Sequence, residues 1–388
     1  MTDFTYSIPT TVHFGKGQLF HLADMTESGK HALLVYGGGS IKRSGLYDAV
    51  LEVLTKAGIT VTELPGVEPN PRIESVRRGV ALCKDNHIDM VLAVGGGSTI
   101  DCAKVVAAGA RYAGDAWDLV LDGSKITDAL PIYVVLTIAA TGSEMDPNAV
   151  ISDMSKNEKW GTASPFMVPT MSVLDPTYTY SVSSTQVSAG TADIMSHTLE
   201  TYFTSIPGAT LQAHMCEAVL KTLIQYGPVA LAEPENYDAR ANLMWCSSLA
   251  INGILRLGAR IPWCVHPMEH ELSAFYDITH GQGLAILTPV WMRYVMEKDP
   301  SRIPQFAAYG RSVFDIREPD DRAAADAAVE TTADFLFNKL GLPSTLRAVG
   351  ITEKINFPVM AKKAARVCVG CYVPLTPEDI TEIYERAF

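Results

Sequence analysis

The sequence predicts an α/β amino-terminal domain built on a parallel sheet of Rossmann type, followed by an all-α domain. Three observations carry this. Strand, glycine turn and helix recur in that order through the first half; strand-like runs cease beyond Asp175 and Pro176; and long helical patterns then continue to the end, punctuated by Pro and Gly. At 388 residues the chain exceeds the size at which one core usually stops growing, so two domains are expected, 1–183 and 184–388. The boundary falls where SVSSTQ offers loop chemistry and a helix cap just before an apolar periodic segment.

Taken in order, HALLVY (31–36) reads as a strand, Gly37, Gly38, Gly39 and Ser40 as a turn, and Leu46, Val50, Leu51 and Leu54 as the apolar face of a helix. IDMVLAV (88–94), Gly95, Gly96, Gly97 and Ser98, and a helix to about Ala110 repeat the arrangement. A third strand, 132–136, leads into TIAATGSE. The charge run DIREPDDR around Arg317 reads as a solvated loop between helices, and no repeat or low-complexity segment interrupts the chain.

A composition 47% hydrophobic and 19% charged supports large cores. A net charge of −12, with no run of Lys or Arg, argues against nucleic acid and anionic membranes as partners. The first residues lack signal-peptide character and no stretch has membrane-span length, so a cytoplasmic location is expected. Seven cysteines, mostly scattered, fit a reducing compartment. Cys368 and Cys371 form a CxxC, but no second Cys or His pair follows it, so they read as half-buried thiols.

Glycines after a strand let backbone N–H groups approach phosphate, and the following helix favours negative charge. Two GGGS turns in one α/β domain therefore suggest a phosphorylated ligand, although each taken singly can be no more than a turn. Thr137, Thr141, Gly142 and Ser143 add donors where the third strand ends, at the edge where open parallel sheets bind ligands. In the helical half, Asp193 and His197 are four apart in GTADIMSHTLE and share one helix face. His266, His270 and His280 crowd into HPMEHELSAFYDITHG although the chain has only nine histidines. One carboxylate with three imidazoles suits Fe(II) or Zn(II) and leaves a coordination position open for a substrate oxygen. Five candidates compete for four places. Asp193, His197, His266 and His280 are taken as ligands, with His270 beside the open position as a proton relay. Glu200 and Glu269 lie close enough in sequence to orient an imidazole, or to be surface charges.

FGKG (14–17), PNP (69–71), GGGSTIDCAK (95–104), TGSE (141–144), LDP (174–176) and the two ligand windows together resemble the iron-containing, or group III, alcohol dehydrogenases over essentially the whole chain. YGGGSIK (36–42) and HPMEHELSAFYDITHG are most similar to the butanol dehydrogenase and broad-range aldehyde reductase subgroup. The resemblance implies a dehydroquinate synthase-like architecture: a dinucleotide domain and a helical metal domain, the active site in the cleft between them, and a homodimer through amino-terminal strands. It carries over the metal to Asp193, His197, His266 and His280, and places His270 near the nicotinamide. Gly95, Gly96, Gly97 and Ser98 become the pyrophosphate cradle, followed by Asp101. Thr137, Thr141, Asn148 and Lys159 match cofactor-contacting positions, and Asn70 with Gly37 to Ser40 lies at the adenosine end. Where NAD-restricted members have an Asp, this chain has Gly39, with Ser40, Lys42 and Arg43 close by, so NADPH is favoured over NADH.

The implied reaction is hydride transfer between a nicotinamide and a short aliphatic aldehyde or primary alcohol, with Fe(II) or Zn(II) as Lewis acid. The rivals are a dehydroquinate synthase-like lyase or a polyol-phosphate dehydrogenase, and a binding protein without turnover. Phosphorylated substrates would call for basic groups, whereas the windows around His266 and His280 offer Trp263, Met268, Phe275 and Tyr276.

Overall fold

A computed structural model describes residues 1–259 and 263–388. In chain order the strands are β1 (Thr11–Phe14), β2 (His31–Tyr36), β3 (Thr60–Leu64), β4 (Met90–Gly95), β5 (Ile132–Leu136), β6 (Asn148–Asp153), β7 (Glu158–Ala163) and β8 (Met171–Leu174). The principal helices are α1 (Leu46–Lys56), α2 (Ile73–Asp85), α3 (Gly97–Ala110), α4 (Ser184–Tyr202), α5 (Thr210–Ala232), α6 (Tyr237–Ile251), α7 (Val265–Tyr276), α8 (His280–Lys298), α9 (Ile303–Phe314), α10 (Asp321–Asp334), α11 (Phe357–Cys368) and α12 (Pro377–Ala387). Among the described residues no helix is long and apolar enough to cross a membrane.

The chain forms two compact units. One, comprising Ser7–Val182 and Pro234–Asn252, carries a six-stranded sheet of order β1-β8-β5-β4-β2-β3, parallel throughout, and the antiparallel hairpin β6–β7. The strand direction of travel reverses between β2 and β4, the switch point at which such sheets bind ligands. Register aligns the relevant ends: Tyr36 lies opposite Val94, and Gly95 opposite Leu136. The turns that follow β2, β4 and β5 therefore leave the same edge side by side. The central strands read as continuous apolar runs because both faces are covered. Along β2, Leu33 and Val35 pack into one core with α2 and α3, while Ala32, Leu34 and Tyr36 face the other with α1.

Two excursions depart from a single division near 183. Residues 1–6 associate with the helical unit, and 234–252, expected in the helical half, joins the α/β unit. α6 supports the turn after β5. Ala140 N donates to Ser247 Oγ at 3.1 Å, and Ser248 Oγ donates to Glu144. Gly142 adopts φ +66° and passes so close to α6 that a Cβ there would stand 2.5 Å from the Ser247 carbonyl oxygen.

The second unit, Met1–Tyr6, Ser183–Glu233 and Gly253–Phe388, is built of helices. Every residue of α4 from Val187 to Tyr202 is buried, polar ones included. Thr191, Thr198 and Thr201 satisfy their hydroxyls on the carbonyls four residues back, at 2.8, 2.8 and 3.0 Å. Glu200 instead reaches across to the amides of Cys264, Val265 and His266, while Asp193 and His197 face each other at 3.5 Å. The CxxC thiols are fully rather than half buried; Cys368 Sγ donates to the Cys264 carbonyl at 3.5 Å and Cys371 Sγ to that of Val373 at 2.8 Å. The charged loop after α9 ends at Asp320, which accepts from Ala323 N at 2.9 Å, so Asp321 and Arg322 already belong to α10.

Candidate functional site

Asp193 and His197 stand one turn apart on α4, α7 supplies His266, and α8 begins at His280. Asp277, left-handed at φ 51°, turns the chain between α7 and α8. Gly281 lets α8 start directly on the backbone of α4, since a Cβ there would lie 2.0 Å from the Ala189 carbonyl oxygen. The outcome is convergence on one atom. Asp193 Oδ1 is 3.5 Å from His197 Nδ1, 3.5 Å from His266 Nε2 and 3.8 Å from His280 Nε2.

These separations are long for hydrogen bonds, and Asp193 Oδ1, His197 Nδ1 and His266 Nε2 are buried without a hydrogen-bond partner. Three orphaned polar atoms facing one point are costly unless something there ligates them. Donor atoms each about 2.1 Å from a shared tetrahedral ion stand roughly 3.4 Å apart. The side chains present therefore fit a divalent cation held by imidazole and carboxylate.

Two further carboxylates, both buried, fix the imidazoles. Glu200 Oε1 lies 2.5 Å from His266 Nδ1, and the same carboxylate accepts the backbone N–H groups of Cys264, Val265 and His266. It thus caps the start of α7 and orients the ring that α7 presents. Glu269 holds His280 Nδ1 and also accepts from Ser273 Oγ. With each Nδ1 held by a carboxylate, Nε2 of His266 and of His280 is the atom turned to Asp193, where an ion would take the place of a proton. His197 stacks on His266 with ring centroids 4.4 Å apart, and Trp263 meets both rings edge-on.

The electrostatics match. Burial pushes Asp193 upward, but His197, His266 and His280 outweigh it and hold the carboxyl below its usual range. Burial presses His197 down to about 3 against the pull of Asp193, so it presents a neutral ring. His266 is also opposed by burial, yet Glu200 and Asp193 raise it to about 9. Three buried carboxyl groups around these rings make a pocket that calls for positive charge. His270 sits just outside the Asp193 group, half-buried, its ring 5.5 Å from that of His280 and 6.3 Å from that of His266.

In the α/β unit the structure brings the expected nucleotide residues to one edge. Gly37, Gly38 and Gly39 leave β2, and Ser40 opens a short helix. Gly95 ends β4, while Gly97 and Ser98 open α3, whose first amides have no intrahelical partner. A Cβ on Gly96 or Gly97 would strike Ile138 or Thr141 at 2.2 or 2.3 Å, so the turn after β4 packs tightly against the turn after β5. Thr137 N donates to Gly95 O at 3.0 Å and strengthens that pairing. Lys159 and Asn70 also meet, Nζ to Oδ1 at 2.9 Å. Asp101 is engaged within the protein. Its Oδ1 accepts from Ser143 Oγ at 2.6 Å and its Oδ2 from Val150 N at 2.9 Å, so both oxygens brace the loop and β6. Asn148 likewise directs its side-chain amide to Asp146, at 2.6 Å.

Sequence reasoning missed the residues beneath this edge. Lys104, fully buried on α3, donates to Asp146 Oδ1 at 2.6 Å and to the carbonyls of Asp146 and Asn148, each at 2.8 Å. The available signal was a solitary Lys in the apolar run CAKVVAAGA. Glu144 is also fully buried, and burial raises its carboxyl from 4.5 to about 7, with Ser248 the main opposing influence. A raised acid favours folding below its unfolded value, and that contribution disappears as pH climbs through about 7. Glu144→Gln should therefore gain stability relative to the parent between pH 4.5 and 7, by up to about 3 kcal/mol, and hold it above. Thermal unfolding of the two proteins across that range checks this; parallel pH curves would show that Glu144 ionises without cost.

The comparisons with known proteins agree with this geometry. A family model described as iron-containing alcohol dehydrogenase matches residues 9–176, and one for the carboxyl-terminal part of the same family matches 187–388. NADH-dependent butanol dehydrogenase A of Clostridium acetobutylicum is 52% identical, with both chains covered in full. The NADPH-dependent aldehyde reductase YqhD of Escherichia coli is 39% identical over 94% of this chain and 93% of its own. The crystal structure of NADH-dependent butanol dehydrogenase A from Thermotoga maritima superposes with a TM-score of 0.94 at 36% identity, covering 100% of this chain and 99% of that one. The chain therefore belongs to the iron-containing alcohol dehydrogenase family and is an alcohol and aldehyde oxidoreductase that works with NAD(P) and a metal.

Proposed function

We propose that this enzyme interconverts short aliphatic aldehydes, butanal among them, and their primary alcohols, with Asp193, His197, His266 and His280 as the residues that hold Fe(II) or Zn(II). The observation that supports it most is the set of three buried, unpartnered ligand atoms, Asp193 Oδ1, His197 Nδ1 and His266 Nε2, that face one another. Bound there, the metal would supply Lewis-acid polarisation of a carbonyl oxygen. The protein's own contribution is preorganisation. Glu200 and Glu269 lock two imidazoles in the ligating tautomer, and α7 and α8 are fixed on α4 before substrate arrives. His270, one turn beyond His266, is the group we assign to hold the proton that the product oxygen takes up. Trp263, Phe275 and Tyr276, with His270, give this region an aromatic character suited to a small apolar chain.

On the α/β unit we assign the dinucleotide to Gly37, Gly38, Gly39, Ser40, Gly95, Gly96, Gly97, Ser98, Thr137 and Thr141, with Lys159 and Asn70 acting as a bonded pair. Asp101 and Asn148 serve there by shaping the loop. We propose NADH as the preferred carrier. Lys42, which favoured NADPH when read from sequence, lies 3.8 Å from Glu63 and over the Tyr47 ring, so its charge is already partly engaged. Two relatives at 52% identity are named NADH-dependent, while a relative named NADPH-dependent stands at 39%. Metal-loaded protein should reduce butanal and oxidise 1-butanol, and fluorescence titration should give a lower Kd for NADH than for NADPH. Absence of turnover with any short aldehyde would overturn the substrate reading; a tenfold tighter Kd for NADPH would overturn the carrier.

A further inference from the structure

A second group of metal-ligating side chains lies in the α/β unit, apart from any residue assigned above. β1 is an edge strand, paired only with β8, and His13 stands opposite Val173 in that pairing. Val12 packs into the core shared with α2 and α3, so alternation turns His13 to the opposite face of the sheet. Over that face runs a ten-residue 3₁₀ helix, Gln18–Glu27, which buries Leu19, Leu22 and Met25. Runs of this length are uncommon, and three residues per turn bring positions i and i+3 into line. His21 and Asp24 are such a pair, with His21 Nδ1 3.2 Å from Asp24 Oδ2. The His13 ring stacks beneath His21, centroids 3.5 Å apart and planes 11° from parallel. One donor atom from each of the three residues falls within 4.8 Å of the other two.

We propose that His13, His21 and Asp24 form a second divalent-metal site, for a borderline cation such as Zn(II), Ni(II) or Cu(II). Two imidazoles and one carboxylate match that class, and three protein ligands leave the remaining positions to water. His21 Nδ1 and Asp24 Oδ2 stand 3.2 Å apart, a spacing that two ligands of one ion also take, so binding exchanges their contact for two bonds to the cation and turns the His13 ring out of its stack to bring its nitrogen to the same point. His13 makes no hydrogen bond among the described residues. His21 is 25% exposed and Asp24 59%, which gives a path of entry and a modest affinity compared with a closed cage. Occupancy would tie the edge strand to the 3₁₀ helix and raise the stability of that junction.

The test compares the holoenzyme with a His13→Leu/His21→Gln variant after dialysis against saturating Zn(II), with metal counted per chain by elemental analysis. The parent should hold one more equivalent than the variant and show a Zn(II)-dependent rise in Tm that the variant lacks. Turnover of butanal should be alike in the two proteins. Equal zinc content would overturn the proposal and leave only a stacked pair of neutral imidazoles. Should the double variant fail to fold, Asp24→Asn decides the matter, since it keeps both rings and should still lose the additional equivalent.

Discussion

Asp193→Ala is expected to leave a folded protein that retains no catalytic metal and reduces butanal with kcat/KM lower by about 10³ or more. The reasoning starts from position. Asp193 Oδ1 is the common neighbour of His197, His266 and His280, and without it the three imidazoles lose the one carboxylate placed to ligate the ion with them, since Glu200 and Glu269 are engaged at the far nitrogens of two of the rings. Lewis-acid polarisation by such an ion contributes several kcal/mol to the transition state. At 1.36 kcal/mol per tenfold, about 4 kcal/mol corresponds to the stated loss. Folding should not follow activity. In the metal-free protein Asp193 has no hydrogen bond at Oδ1 to lose, and its attraction to the three imidazoles is offset in part by the cost of burying its charge, so its removal should leave the fold intact. Nor should the Kd for NADH move, because the nucleotide turns belong to the other unit. Metal content, Tm without metal and NADH titration separate these effects, and a variant that keeps its metal and stays within tenfold of the parent would remove Asp193 from the ligand set.

How far the sequence reveals this arrangement depends on the range of the interactions involved. β2, β4 and β5 are apolar runs followed by Gly or Thr turns, each defined within some ten residues, and their order along the chain is enough to indicate a parallel sheet. Asp193 and His197 are one turn apart, and the His266 to His280 window spans one helix and one turn, so their convergence is legible from spacing. Glu200 and Glu269 could be named as partners of an imidazole, but not distinguished from surface charges. That distinction rests on burial, which places Glu200 on the amides of Cys264 to His266, more than sixty residues away. The return of α6 to the α/β unit was illegible for a related reason. Its sequence is helical like its neighbours, and long-range meetings decide which unit it serves, among them Ser247 and Ser248 with Ala140 and Glu144 and Met244 with the core beneath the sheet. Asp101 was assigned to the cofactor site through the family resemblance. What the sequence could not show is that Ser143 and Val150 also bond to its oxygens.

Lys104→Met is expected to destabilise the α/β unit by roughly 3–5 kcal/mol, the usual cost of removing one member of a buried ion pair. Three acceptors lose a donor at once: the Asp146 carboxylate and the carbonyl oxygens of Asp146 and Asn148. Asp146 is 3% exposed and keeps only the amide and side chain of Asn148 as donors, so its charge is left in the interior. The loss should reach function through position. Asp146 and Asn148 end the loop that begins at Thr141, and Asp101 holds the same loop through Ser143 and Val150. Slackening it should weaken NADH binding while leaving metal content unchanged, the reverse of the pattern expected for Asp193→Ala. A Lys104→Met/Asp146→Leu double variant isolates the charge. Removing both partners leaves no buried ion, so it should be clearly more stable than the single variant in urea unfolding, short of the parent by the unmet carbonyls alone. If the single and double variants unfold at the same urea concentration, water reaches Asp146 once Lys104 is gone, and the salt bridge is holding the loop by geometry rather than by charge.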